Sequence, residues 1–276
     1  MESRNGRMVV RGLAFLTMAF IYVPLGIVVM YAFNASIGQR WPIQDYTTRW
    51  FGVAWRSQEV RDSLANSVKI ALMATLLALV LGSLAAFAVH RFRFFGRNSV
   101  SLLLVLPIAL PGIVTAMALN SAFVTAGIDL NLFTIFVGHS TFCIVVIYNN
   151  VIARLRRTPT SLVEASMDLG ADGLQTFRYV TLPAIRTALV AGALLAFALS
   201  FDEIVVTNFV SGSEPTLPKF IFNNLRLPRS RPVVNVVAVA VVLLSIIPVY
   251  LAQRLAGGPD AIASRTAAGS KGAAGG

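Results

Sequence analysis

Residues 154–186 read RLRRTPTSLVEASMDLGADGLQTFRYVTLPAIR. This stretch lies between two apolar runs, residues 130–153 and 184–210, and is too polar to cross a bilayer and too long for a tight turn. Its local chemistry predicts two short helices. Ser161 followed by Glu164 fits a Ser-x-x-Glu capping box at a helix start. Gly170 suits the left-handed position just past a helix C-terminus. Asp172 and Gln175 form a second capping pair, and Pro183 predicts the stop of the second helix. Leu162, Ala165 and Leu169 share one face at helical spacing, and Leu174, Phe177 and Thr181 share another. Helices this short are marginal in water. The segment must rest either on the ends of membrane helices or in a groove on a partner protein.

Outward from this loop the chain is apolar. Of its 276 residues 56% are hydrophobic and 13% charged, where a soluble domain carries about 25% charged residues. Six runs approach the roughly 20 residues that span the hydrocarbon core: residues 13–33, 70–89, 99–128, 130–153, 184–210 and 233–252. The expectation is an all-α membrane protein with six transmembrane helices within residues 1–255. Residues 256–276 are mostly Ala, Gly and Ser, cannot bury a core, and are expected to be a disordered cytoplasmic tail. The first run is too long for the apolar core of a signal peptide and lacks a small-x-small cleavage site, so it reads as an uncleaved helix.

The net charge of +11 does not form one patch. Its basic residues sit between apolar runs, as membrane-protein loops place them, which argues against nucleic acid as a partner. With the N-terminus inside, 14 of the 23 Lys and Arg fall on the cytoplasmic side and 9 outside. That bias predicts an N-in, C-in orientation. The outer segment, residues 34–63, holds Trp41, Tyr46, Trp50, Phe51 and Trp55, read as an interfacial aromatic belt or as an element touching an external partner.

Enzymatic chemistry finds little support. One cysteine and two distant histidines give no metal-ligand spacing, and Cys143 reads as a packing residue. No lysine follows a glycine, so the chain has no phosphate-cradling P-loop. Any ATP hydrolysis belongs to another subunit.

Asp202 and Glu203 are the charges that fall clearly within a predicted span, Arg186 lying at the very start of its run. Intramembrane acids are functional candidates by default, because each costs about 2.5–3.5 kcal/mol to insert. On a helix they would point about 100° apart. One would then line a path and the other meet a neighbour such as Asn208 or Asn235. Two negative charges favour a cation over an anion as cargo, although Lys219, Arg226, Arg229 and Arg231 follow in the next outer loop. In the third run, Pro107, Pro111 and Gly112 predict a kink or hinge, with Asn120 beyond it as a further candidate for the path.

The run from Glu164 to Pro183 resembles the EAA loop of binding-protein-dependent ABC importer permeases: E-A-A, three residues, G, about nine residues, an apolar residue, one more, then L-P. Glu164, Ala165, Gly170, Val180, Leu182 and Pro183 match, and Ser166 replaces the second Ala. The run FALSFDEIVVTNFVSGSEPTLPKFIFNNLRL is similar to the polyamine branch of that family, and the likeness covers about residues 64–255. Asn208 departs from that branch, which more often has an apolar or aromatic residue there.

The resemblance implies a type I importer permease in a bacterial inner membrane. It implies partners as well: an ABC ATPase dimer, a second permease chain and an extracytoplasmic substrate-binding protein. No cofactor would sit on this chain, ATP and Mg²⁺ being held by the ATPase. Glu164, Ala165, Gly170, Ala171, Leu182 and Pro183 would form the coupling loop, residues 158–183. Asp202, Glu203, Asn208 and Asn120 would serve the path of spermidine or putrescine. Iron, thiosulfate or sulfate, and phosphonate are rival cargoes; a channel or ion-coupled carrier is the rival class.

Overall fold

A computed structural model describes residues 4–92 and 95–256. Arg93, Arg265, Lys271 and all but the first residue of the expected tail lie outside the described residues. Those described are helical with no strand; an isolated bridge pairs Asn34 with Tyr46. The chain divides into two compact units, one made of residues up to Asp62 together with Phe220–Leu244, the other running from Ser63 to Lys219 and resuming at Ser245.

In the first unit, helix α1 (Arg4–Ala32) is apolar, and the most apolar 18-residue window within Gly6–Ala32 has no buried residue. Just past its end the chain folds back on itself. Ala35 N–H donates to Asp45 O at 3.0 Å and Thr47 N–H to Phe33 O at 2.7 Å. The short helix α2 (Arg49–Arg56) then buries Trp50, whose indole N–H donates to Asn34 O at 2.9 Å. The aromatic segment therefore divides: Trp50 is structural, while Trp41, Tyr46 and Trp55 remain exposed. That exposure is compatible with both readings of the segment.

The second unit is organised around α6 (Leu132–Leu155), the most buried of the long helices. Helix α3 (Gln58–Arg91) meets it along a stripe of small residues, Ala74, Ala78, Gly82 and Ala86, all buried. Without lipid–water contrast to drive helices together in a bilayer, close backbone approach does the work. At Gly82 that approach is tight, since a Cβ there would lie 2.8 Å from Ile144 O.

The third apolar run is not one helix. It forms α4 (Arg97–Ala109) and α5 (Gly112–Thr125), broken at Leu110–Pro111, where both residues are extended. Pro111 has no N–H to continue the ladder and disfavours helix at the residue before it. Four described helical stretches are each long and apolar enough to cross a membrane: Gly6–Ala32, Gln58–Arg91, Leu132–Leu155 and Gly173–Phe201. The α4–α5 pair and α12 (Arg231–Ala256) carry the other two runs.

Candidate coupling loop and helix break

Helix α7 (Thr160–Asp168) opens the polar loop. The expected Ser161–Glu164 box is absent. The helix starts earlier, with Pro159 at the N-cap and no side-chain cap bond, which leaves Ser161 inside the first turn. Glu164 is exposed and has no hydrogen-bond or ion-pair partner among the described residues. The C-terminus forms as expected. Gly170 takes φ +86°, its N–H donates to Met167 O at 2.9 Å, and Ala171 N–H donates to Ser166 O at 3.1 Å. This crossed pair of bonds is a Schellman closure, for which a glycine is best suited.

The Asp172–Gln175 box is present in both directions, at 2.7 and 2.9 Å. It starts α8 (Gly173–Thr176), which does not end at Pro183. It passes through a π-helical segment, Phe177–Thr181, directly into α9 (Leu182–Phe201), with Pro183 in the first turn of α9. Leu182 N–H donates to Phe177 O, five residues back. The wider π turn lets the helix carry a proline ring that would clash with the carbonyl four residues back in a regular α-helix. Phe177 packs edge-on against Phe87 of α3, with ring centroids 5.4 Å apart. Leu162, Leu169, Leu174 and Tyr179 are exposed, and α7 has no buried residue. The loop thus carries a free acid and an uncovered apolar surface.

At the other end of α9 the helix breaks. Asp202 is its C-cap and α10 (Val205–Val210) starts after Ile204. The two acids are therefore not on a continuous helix as expected, and their environments differ. Glu203 Oε1 accepts from Val206 N–H at 2.9 Å, capping the first turn of α10. Asp202 is exposed, and its carboxylate has no partner among the described residues. Asn208 is also exposed, while Asn120 is used to hold α5 on α10, donating to Phe209 O at 2.6 Å. Thr134 of α6 donates to Val210 O at 2.7 Å.

His139 of α6, 2% exposed, reaches both sides of the break. Its Nδ1 is 2.9 Å from Ser200 Oγ and its Nε2 is 2.9 Å from Thr207 Oγ1. The sequence offers this histidine only as a metal ligand, and no ligand spacing supports that role. The available signal was a polar ring inside an apolar run, which in a membrane marks function as readily as an acid does.

Lys219 is not a free rim charge, because its Nζ donates to Ser211 Oγ and Gly212 O, both at 2.7 Å, and to Glu214 O at 3.2 Å. Burial pushes its pKa below the ordinary lysine value, opposed by the Glu214 charge. Toward the loop end of the α6–α9 pair, Asn149, Asn150, Arg154, Arg157 and Thr187 line a cavity of about 380 Å³.

Residues 78–257 match the family described as binding-protein-dependent transport system inner membrane component. The chain belongs to this family. These permeases are inner-membrane components of transport systems and not enzymes. Among the relatives of this permease is the putrescine transport system permease protein PotI of Escherichia coli K12, 34% identical over 247 residues, covering 85% of this chain and 87% of PotI. Another is the spermidine/putrescine transport system permease protein PotC of the same strain, 33% identical over 253 residues, covering 91% and 95%. The fold is that of ABC importer permeases. A chain of a bacterial ABC transporter importing alginate superposes with a TM-score of 0.71 at 18% identity, over 92% of this permease and 98% of that chain. A chain of the MetNI methionine ABC transporter gives 0.56 at 21% identity, over 72% and 97%.

Proposed function

We propose that this permease moves polyamines of the spermidine and putrescine class inward as one membrane subunit of an ATP-driven importer. The observation that carries the cargo is its near-full-length likeness to two permeases named for putrescine and spermidine. Asp202 supports it: an unpaired carboxylate at a helix break suits an ammonium group. Glu203 is a cap, so Asp202 is the acid assigned to the path. The polar residues Asn149, Asn150 and Thr187 of the α6–α9 cavity suit the path's loop end, since polar groups within spans face water-filled cavities or partners.

The proposed topology is six spans, N-in and C-in, with residues 158–183 on the cytoplasmic face. There the free Glu164, with Ala165, the Gly170–Ala171 turn, Leu182 and Pro183, couples to an ABC ATPase dimer that holds ATP and Mg²⁺. A second permease chain completes the path, and an extracytoplasmic binding protein delivers the cargo. This arrangement is supported by solved relatives described as ABC transporters, one with its periplasmic protein bound.

The test is ATP-dependent uptake of labelled spermidine and putrescine into proteoliposomes holding the assembled transporter and its binding protein. Saturable uptake, undiminished by excess iron, sulfate or phosphonate, is expected. Uptake of one of those ions with no polyamine uptake overturns the cargo, and gradient-driven uptake by this chain alone overturns the mechanism.

A further inference from the structure

The bonds around His139 have a direction. Thr207 Oγ1 donates its proton to Glu203 O at 2.6 Å. Its oxygen can then only accept from the ring, so Nε2 carries the hydrogen. No carboxylate touches the ring among the described residues, and an unpaired buried cation is expensive. The imidazole is neutral, and its Nδ1 accepts from the Ser200 hydroxyl. A one-way chain results: Ser200 to His139, His139 to Thr207, Thr207 to the carbonyl of Glu203. Its two ends lie in α9 and α10, and the turn between them contains Asp202.

A helix break at membrane depth is tolerated only where neighbouring groups satisfy the freed backbone. Here Glu203 Oε1 meets Val206 N–H and Thr207 Oγ1 meets Glu203 O, and His139 of α6 holds the Thr207 hydroxyl that makes the second of these bonds. Ser200 and Thr207 are 3% and 0% exposed, so without the ring both hydroxyls lose their cross-helix partner. Cys143, one turn further along α6, adds a weaker bond to Ala196 O at 3.5 Å.

We infer that His139 is a positioning residue for the cargo. It clamps the Ser200–Thr207 break and so fixes where the Asp202 carboxylate is presented to a cationic substrate. This rests on the assignment of Asp202 to the path. A clamp that acts through Asp202 should change substrate affinity and do nothing further once Asp202 is neutralised.

The test measures KM and kcat for spermidine uptake in the reconstituted transporter. His139→Leu is expected to raise KM about tenfold, equivalent to roughly 1.4 kcal/mol, with kcat little changed. His139→Gln keeps a donor toward Thr207 and is expected to recover most of that loss. Added to Asp202→Asn, His139→Leu is expected to raise KM no further. Should the leucine variant fail to reach the membrane, Thr207→Val against Thr207→Ser carries the same comparison. Unchanged KM in His139→Leu, or losses that simply add to those of Asp202→Asn, overturns the inference. Unchanged KM in Asp202→Asn alone overturns the Asp202 assignment, and with it the route by which His139 acts.

Discussion

Ser166 Oγ lies 3.0 Å from Thr176 Oγ1, which ties helix α7 to helix α8 across the Gly170 turn. Ser166 stands where the EAA pattern has alanine, so this chain braces its loop with a bond that alanine could not make. Thr176 is 2% exposed, which makes the loss of its partner felt. Ser166→Ala should cost about 1 kcal/mol locally. Deuterium exchange over residues 160–168 of the assembled transporter should quicken in Ser166→Ala and stay slow in Ser166→Thr. Equal rates would mean that the bond contributes nothing.

Glu164 points outward with no internal partner, so replacing it should leave the fold intact. Glu164→Arg should reach the membrane at the normal level yet reduce ATP-dependent uptake by about tenfold or more, as expected when one partner of an intersubunit charge contact is reversed. Membrane quantification alongside uptake checks this. Uptake at the parental rate would remove Glu164 from the coupling role.

Gly170 is required for its backbone and not for space, since a Cβ there would meet nothing within 4 Å. Gly170→Ala should cost about 1–2 kcal/mol through the left-handed conformation alone. Gly170→Asn should be milder, because asparagine visits that region more readily. Thermal stability and uptake should therefore fall in the order Gly, Asn, Ala.

The two acids at the break should respond differently. Asp202→Asn should raise the KM for spermidine about tenfold, while Glu203→Gln, which keeps an acceptor for Val206 N–H, should transport normally. Glu203→Ala should lower the yield of assembled transporter, through loss of a helix cap worth about 1 kcal/mol. Equal KM effects from Asp202→Asn and Glu203→Gln would contradict the division of roles.

What could be read from the residues was local. Charge-free runs gave the membrane class, Gly170 gave its own turn, and Asp172 and Gln175 gave their box, because each depends on neighbours a few positions away. What could not be read depended on distant ones. Glu203 looked as available as Asp202 until the chain broke at Ile204 and turned it into a cap. Pro183 looked like a terminator, because nothing in its residue type announces a π segment before it. His139 acquires its role only from Ser200 and Thr207, 61 and 68 residues along the chain. The Leu110–Pro111 break was foreseen as a bend, and Pro111 made it an interruption.

The uninterrupted helix from Gly173 to Phe201 carries a mechanical consequence. Its 29 residues measure about 43 Å at the usual rise per residue. One end lies in the loop proposed to meet the ATPase, and the other holds the acid proposed to meet the cargo. A push on the loop would then reach Asp202 as leverage along one rod, without passing through a chain of side-chain contacts. Its one soft point would be the π turn at Phe177–Thr181, close to the end where the force enters, which leaves Leu182–Phe201 to move as one piece beyond it.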